Sequence, residues 1–98
     1  MSIVSGGFMF LSIATDLASD DSKIKVDRLL NEYGIKKSQV NLYESFDFPL
    51  RKLGNLKKEI SDCLDMYDKL RMYQYPLENS FKISYIEGRK WKRLSISQ

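Results

Sequence analysis

The order of apolar patterns along this chain predicts an α+β fold: a ferredoxin-like βαββαβ plan with one or two extra C-terminal strands. The first observation behind this prediction is a nearly continuous apolar run over residues 8–15, as expected for a central strand. The second is that two later segments repeat apolar residues at helical spacing, with alternating segments between and after them. This order matches the split βαβ arrangement, which places both helices on one face of an antiparallel sheet.

The first helix and the strands after it are marked by capping and turn residues. Asp21 or Ser22 is expected to cap the helix, and Gly34 stands where a helix commonly ends in a left-handed conformation. The apolar face of the helix is predicted to comprise Val26, Leu29, Leu30 and Tyr33. Residues 35–46 then predict two short strands separated by a bend at 39–41.

The second helix is predicted to begin after Pro49. Its expected buried stripe comprises Leu53, Leu56, Ile60, Cys63, Leu64 and Tyr67. Alternating residues predict strands at 70–75 and 81–86 and a short last strand at 91–96. Because both helices would cover the same face, the other face would expose a wide apolar surface unless a partner covers it. In a chain this small, dimerisation by sheet-to-sheet packing or by strand addition is the expected solution.

Length and composition favour a small globular protein of the cytoplasm. The 98 residues suit one domain, residues 8–98, after a flexible lead at 1–7. No apolar stretch approaches the roughly 18 residues of a membrane span. The single cysteine, Cys63, excludes an internal disulfide and fits a reducing compartment, and a small core residue is favoured over a reactive thiol. The lack of histidine removes histidine-based acid–base catalysis and most zinc sites.

The net charge of +3 is unevenly distributed, because the basic residues collect towards the C-terminus. Residues 1–21 carry three aspartates and no base, whereas residues 71–98 carry six bases and two acids. The run 89–93 places four cations around Trp91, a composition suited to phosphates with the ring stacking or packing. An edge strand protected by Lys and Arg, with Trp91 in an interface, is the alternative.

Asp16 is the strongest single candidate for chemistry because it ends the apolar run of the first strand. A carboxylate at the C-terminal end of a buried strand lies on the rim of the sheet, where it can hold a metal ion or a water. A lone aspartate binds Mg²⁺ poorly, so Asp20, Asp21 or the Asp16 of a second copy would have to complete the site. The alternative is that Asp20 and Asp21 cap the first helix and Asp16 begins a turn.

Polar residues of the second strand segment offer weaker signals. Lys36 and Lys37 would favour phosphates, although a pair of lysines is common on any surface. Gln39 and Asn41 could bond bases or phosphates, or they could satisfy the backbone at a bend. Glu44 is interpreted as an ordinary solvent-facing strand residue.

The order of these residues resembles that of a known family. Its elements here are a strand ending at Asp16, a polar turn with Asp20-Asp21, the helix positions Lys23-x-Lys25-Val26-x-x-Leu29-Leu30-x-x-Tyr33-Gly34, and the segment Gln39-x-Asn41-Leu42-Tyr43-Glu44. Later matching segments are Leu70–Tyr73, Pro76–Ser80 and Ile86–Gly88. Over residues 8–88 this pattern resembles the CRISPR-associated Cas-two proteins.

The resemblance implies a ferredoxin-like homodimer in which one strand-end aspartate from each subunit, Asp16 here, faces its counterpart and shares a divalent metal such as Mg²⁺. Members of the family have been described as metal-dependent nucleases on RNA or duplex DNA. In the adaptation complex the dimer bridges two dimers of the Cas-one integrase and holds the incoming DNA by its phosphates, and the C-terminal segment takes part in these contacts. The resemblance therefore implies duplex DNA, or RNA, and a Cas-one-type integrase as partners. The residues expected to contact nucleic acid are Lys23, Lys36, Lys37, Arg89, Lys90, Lys92 and Arg93.

This chain departs from the family pattern at several positions. Thr15 replaces the usual aromatic residue before the aspartate, Lys37 replaces the arginine ahead of Gln39, and Asn41 replaces a serine. Lysine lacks the bidentate fork of arginine, so the scaffold role is expected to survive these changes better than a nuclease role. Two other functions stay open: an RNA-cleaving toxin of related fold, and a non-catalytic ferredoxin-like interaction module.

Overall fold

The computed structural model describes residues 7–77 and 80–96, so the predicted flexible lead at 1–7 lies, except for Gly7, outside the described residues. The described chain forms six strands and two helices, with a short 3₁₀ turn before the second helix. In chain order the elements are β1 (Phe8–Asp16), α1 (Asp20–Glu32), β2 (Lys36–Gln39), β3 (Leu42–Pro49), the 3₁₀ turn (Leu50–Lys52), α2 (Leu53–Cys63), β4 (Lys69–Leu77), β5 (Ser80–Glu87) and β6 (Lys90–Ile96).

The strands form one antiparallel sheet in the order β2-β3-β1-β4-β5-β6. The α+β class predicted from the sequence is confirmed, and the order of the first four strands is compatible with a ferredoxin-like plan. Two strands, β5 and β6, follow β4 and extend the sheet, within the predicted one or two. β1 lies between β3 and β4, in the central position that its apolar run predicted.

One face of the sheet carries the hydrophobic core. On β1 the alternate residues Met9, Leu11 and Ile13 are buried in one cluster with helical residues such as Leu30 and Leu56. The opposite side of the sheet, which no described helix covers, is called the uncovered face below. Its side chains include Phe10, Asp16, Phe46, Lys69, Arg71, Tyr73, Tyr75, Phe81 and Tyr85.

The start of α1 differs from the prediction. Ser19 is the N-cap, because its Oγ accepts a hydrogen bond from the Ser22 N–H at 3.1 Å, so the expectation of Asp21 or Ser22 as the cap is wrong. Asp20 and Asp21 lie in the first turn instead, where acidic side chains favour the positive end of the helix dipole. The predicted end of the helix is confirmed, since Gly34 has a φ of +77°.

The second helix is shorter than its apolar stripe suggested. Leu53, Leu56, Ile60 and Leu64 are buried as predicted, and Cys63 is half-buried, which raises the pKa of its thiol. The prediction for Tyr67 is wrong: α2 ends at Cys63, and the Tyr67 side chain lies in the following loop with 80% of its surface exposed. The helix ends at Cys63, and the backbone of the next residue, Leu64, is extended, with a φ of −103° and a ψ of 152°.

None of the helices in the described part of the chain is long and apolar enough to cross a membrane.

The predicted bend at 39–41 is confirmed, because β2 ends at Gln39 and β3 begins at Leu42. Asn41 between them has a φ of +64°, in the left-handed region that Asn tolerates better than most residues. Its carbonyl oxygen accepts from the Thr15 N–H at 2.9 Å, which ties this hairpin to the end of β1.

Candidate nucleic-acid interface

Asp16 is exposed at the end of β1 and lies on the uncovered face. In the sheet register it stands opposite Lys69 of β4, followed by Glu87 of β5 and Lys90 of β6. The side chains of this row therefore alternate in charge, and Lys69 Nζ lies 4.0 Å from Glu87 Oε2. Adjacent strands are about 4.8 Å apart, so Lys69 separates the Asp16 and Glu87 backbones by roughly 10 Å.

A small cleft of about 320 Å³ surrounds Asp16 on this face. Arg71 lies in the same cleft, with its guanidinium carbon 5.7 Å from the centre of the Tyr85 ring. Lys69 and Arg71 give the cleft two cations beside the Asp16 carboxylate. Such an arrangement suits a phosphate group, which can bind cations while a carboxylate orients water or a metal ion.

Metal-binding side chains do not cluster at Asp16 within the described part of one chain. Among the residues that the structure describes, no group of three His, Cys, Asp or Glu side chains lies close enough to hold a metal ion. Asp20 and Asp21, which the sequence offered as further ligands, belong to α1 and pair with Lys23 at 3.9 Å and Lys25 at 3.0 Å. A metal at Asp16 would therefore need oxygen ligands from a second copy or from the bound substrate.

Asp68 is a buried carboxylate that sequence reasoning missed. Its oxygens accept hydrogen bonds from the Ala18 N–H at 2.7 Å, the Ser22 hydroxyl at 2.7 Å and the Asp65 N–H at 2.9 Å. Burial alone would raise the pKa of Asp68, but these hydrogen bonds outweigh it and hold the pKa below the usual value. Asp68 thus fixes the turn that follows Asp16 against the start of β4. No local pattern marks it, because its partners lie up to 50 residues away.

A second, larger concavity lies on the helix side of the sheet, between α1 and the β2–β3 hairpin. This concavity, called the α1 groove below, has a volume of about 740 Å³. It brings together Lys23 and Lys37, both predicted to contact nucleic acid, and adds Arg28, which was not predicted. Arg28 could have been found from its position, since it lies one turn after Ile24 on the same side of α1.

The floor of the α1 groove is held by a hydrogen bond between strand and helix. The Tyr43 hydroxyl donates to Asp27 Oδ1 at 2.6 Å, and Asn31 Nδ2 donates to Asp27 Oδ2 at 3.3 Å. Burial and this hydrogen bond to Asp27 raise the pKa of Tyr43 to about 12, so the hydroxyl stays a donor at neutral pH. Both carboxylate oxygens of Asp27 are therefore engaged within the protein.

The sheet divides the basic C-terminal run between its two sides. Trp91 stands opposite Ile86, and its indole Nε1 donates to the Lys57 carbonyl at 3.1 Å on the α2 side. Lys90 and Lys92 alternate with Trp91 and so face the other way. The expected cluster of four cations around one stacking indole is therefore absent from the described chain. Half-burial and the Arg93 charge lower the pKa of Lys57, whose ammonium lies 4.9 Å from the centre of the Trp91 ring.

The remaining predicted cations also take separate places. Lys36 stands opposite Glu44, whereas Lys37 stands opposite Tyr43, so these two neighbours point to opposite sides of the sheet. Arg89 has a φ of +63° and forms the β5–β6 turn together with Gly88.

Comparison of the chain with protein-family models, with curated proteins and with solved structures gives no significant match. The roles of these residues are therefore argued from their positions and charges.

Proposed function

We propose that this protein is a CRISPR adaptation protein of the Cas-two type, a ferredoxin-like homodimer that binds duplex DNA through the phosphate backbone. In this proposal its C-terminal strands dock a Cas-one-type integrase. The order of motifs along the chain supports the proposal, and the strand order is compatible with it. The observation that carries it is the place of Asp16, exposed at the end of β1 on the uncovered face.

The uncovered face has the character of a surface that a second copy would bury. Phe46 and Tyr75 are 79% and 54% exposed, and the Phe10 and Phe46 rings lie 5.3 Å apart. The Tyr75 and Phe81 rings extend this aromatic surface at 6.1 Å. An exposed apolar face of this kind commonly marks a protein interface. Two copies packed through it about a two-fold axis that runs along the strands would bring their Asp16 side chains to the same end of the dimer.

The proposal includes a Mg²⁺ ion held by Asp16 of both subunits. Within one subunit Glu87, the other carboxylate of the cleft, pairs with Lys69 and is separated from Asp16 by it. The proposal therefore takes the second carboxylate ligand from the Asp16 of the other subunit, with water as the remainder. A bound Mg²⁺ would supply charge stabilisation to a phosphodiester. The scaffold role requires only the dimer and the basic surfaces, and it does not depend on this ion.

The experiment that tests this proposal measures oligomeric state, Mg²⁺ binding and duplex DNA binding on the same protein. We expect a dimer that retains short duplex DNA, and Mg²⁺ binding by calorimetry that is lost in Asp16→Asn. Asp21→Asn is the matched control, because this exposed first-turn acid lies on α1. A monomer that binds no nucleic acid would contradict the proposal and favour an interaction module.

The same preparation distinguishes the remaining candidate. Added to RNA with Mg²⁺, a toxin-like endoribonuclease would degrade it, would arrest growth on expression and would lose both effects in Asp16→Asn. A protein that holds duplex DNA and leaves RNA intact is the result expected of the scaffold. The cytoplasmic location of this protein stays a prediction.

A further inference from the structure

We propose that the α1 groove is the main site at which this protein holds the phosphate backbone of nucleic acid, with Arg28 as a direct contact. The inference rests on the proposed function only in taking nucleic acid as the ligand. It assigns the contact to the helix side of the sheet, whereas the Asp16 side chain lies on the uncovered face. It also gives a role to a residue that neither the motif pattern nor the basic C-terminal run includes.

Cations from two elements converge on this groove. Lys23 and Arg28 lie five positions apart on α1, a rise of about 7.5 Å along the helix axis. Lys37 reaches the groove from β2 on the other wall. The three cations therefore line one groove from both of its walls, where they can contact phosphate groups.

In the described chain Lys23 pairs with Asp20 at 3.9 Å, while the acids that line the groove form no ion pair with Arg28 or Lys37. Asp27 lies on the floor, and its two oxygens accept from Tyr43 and Asn31. Glu32 lines the groove only at the C-terminal end of α1. Within the described part of the chain, neither Arg28 nor Lys37 forms an ion pair with an acid. A phosphate would therefore meet two cations that are not already held in an ion pair.

Hydrogen bonds hold the two walls of the groove in place. The hydroxyl of Tyr43 on β3 binds Asp27 of α1, and the Thr15 N–H binds the Asn41 carbonyl at the hairpin turn. The hairpin is thus fixed both to the helix and to the end of β1. A site that is already ordered before binding loses less conformational entropy when its ligand arrives.

The polar and apolar residues around the cations suit a nucleic-acid strand. The Asn41 side chain lines the groove and can donate an amide N–H to a phosphate oxygen, a common contact to the DNA backbone. Ile24 is 58% exposed on the same wall and offers an apolar surface for a sugar. Together with the three cations, the Asn41 amide and the apolar Ile24 favour a nucleic-acid backbone over an acidic protein segment, and an acidic polypeptide is kept as an outcome of the test.

The lysine pair of β2 provides the decisive control. Lys36 and Lys37 are adjacent, exposed and identical in charge, yet only Lys37 lines the α1 groove. Lys36 lies on the other side of the hairpin, opposite Glu44. Replacing either lysine with glutamine changes the net charge of the protein equally. A difference in DNA affinity between the two variants therefore reflects where the lysine lies relative to the groove.

The test measures binding of labelled duplex DNA by fluorescence anisotropy over a series of salt concentrations. Arg28→Gln and Lys37→Gln should each weaken binding about tenfold and reduce the slope of log affinity against log salt by about 0.9. The groove assignment removes Lys36 from the expected nucleic-acid contacts, so Lys36→Gln should change affinity less than about twofold, as should Arg51→Gln, which changes an exposed cation of the 3₁₀ turn. Glu32→Gln should strengthen binding, because it removes an acid from the groove. Thermal unfolding checks that all variants fold.

The possible failures are distinguishable. If the wild type shows no salt-dependent binding to duplex DNA or to single-stranded RNA, the proposed function fails and this inference fails with it. If the wild type binds but Lys36→Gln weakens binding as much as Lys37→Gln, or Arg28→Gln has no effect, the groove assignment alone is overturned. If polyglutamate displaces the DNA at equal charge concentration, the groove is a site for an acidic polypeptide and the assignment is also overturned.

Discussion

Asp68 accepts a hydrogen bond of 2.7 Å from the hydroxyl of Ser22, a residue 46 positions earlier in the chain. The same carboxylate also accepts from the backbone of both loops that meet there. It thus joins the first turn of α1 to the start of β4 and fixes the segment that follows Asp16. Four predictions about stability and association follow from this contact and from the surfaces described above.

Replacing Asp68 with asparagine should destabilise the protein by about 2 kcal/mol, because a buried amide cannot accept all three hydrogen bonds. Urea unfolding would measure the change. Asp62→Asn, on the exposed side of α2, is the matched control and should stay within about 0.5 kcal/mol of the wild type. Equal stability of the two variants would show that Asp68 does not hold the loops together.

The contribution of Asp68 should depend on pH in the acidic range. Its pKa in the folded protein is held below the usual value of 3.8, so the charged form stabilises the fold. That stabilisation is fully present above about pH 5 and is lost as the pH falls through the folded-state pKa. The difference in unfolding free energy between the wild type and Asp68→Asn should therefore shrink below about pH 4. A difference that stays constant down to acid denaturation would contradict this account.

Tyr43→Phe tests the floor of the α1 groove. Losing the hydrogen bond to Asp27 should cost about 1 kcal/mol at neutral pH. Since the pKa of Tyr43 is raised to about 12 from 10.0, its contribution is complete below pH 10 and is lost as the pH rises towards 12. The stability difference between wild type and variant should therefore disappear in that interval. Chemical unfolding at neutral and alkaline pH measures this difference in unfolding free energy. A difference that does not change with pH would argue against the hydrogen bond between Tyr43 and Asp27.

Phe46→Ala tests the uncovered face as the dimer contact. Because the Phe46 side chain is 79% exposed in one protomer, its removal should leave the stability of the monomer nearly unchanged. We expect it to weaken dimerisation about tenfold or more, as measured by sedimentation equilibrium. Tyr67→Ala removes an aromatic side chain that is 80% exposed in the loop before β4, and it should have no effect on the dimer. Similar effects of both variants would place the contact elsewhere.

Much of the fold could be predicted from local pattern. The nearly continuous apolar run of β1, the helical spacing of Val26, Leu29 and Leu30, and the position of Gly34 are each local features that mark their element. The end of α2 could not be predicted in this way. The apolar spacing continued to Tyr67, whereas the chain turns after Cys63 and the Asp65 N–H bonds Asp68 instead.

The candidate site was harder to predict than the fold, because strand register and long-range contacts decide which side chains meet. The run 89–93 looked like one basic cluster, but the pairing of Trp91 with Ile86 places Lys90 and Lys92 on the side of the sheet opposite Trp91 and Arg93. Lys23 and Lys37 were proposed separately, and only the packing of α1 beside the β2–β3 hairpin places them in one groove with Arg28. Whether these residues bind nucleic acid stays a prediction.

The most direct test of the central claim is the mass of the protein in solution, alone and with short duplex DNA, by sedimentation velocity at low and moderate salt. The account predicts a dimer without DNA and a complex of one dimer with duplex DNA that dissociates as the salt concentration rises. A protein that stays a monomer at every concentration and does not sediment with DNA at low salt would contradict it.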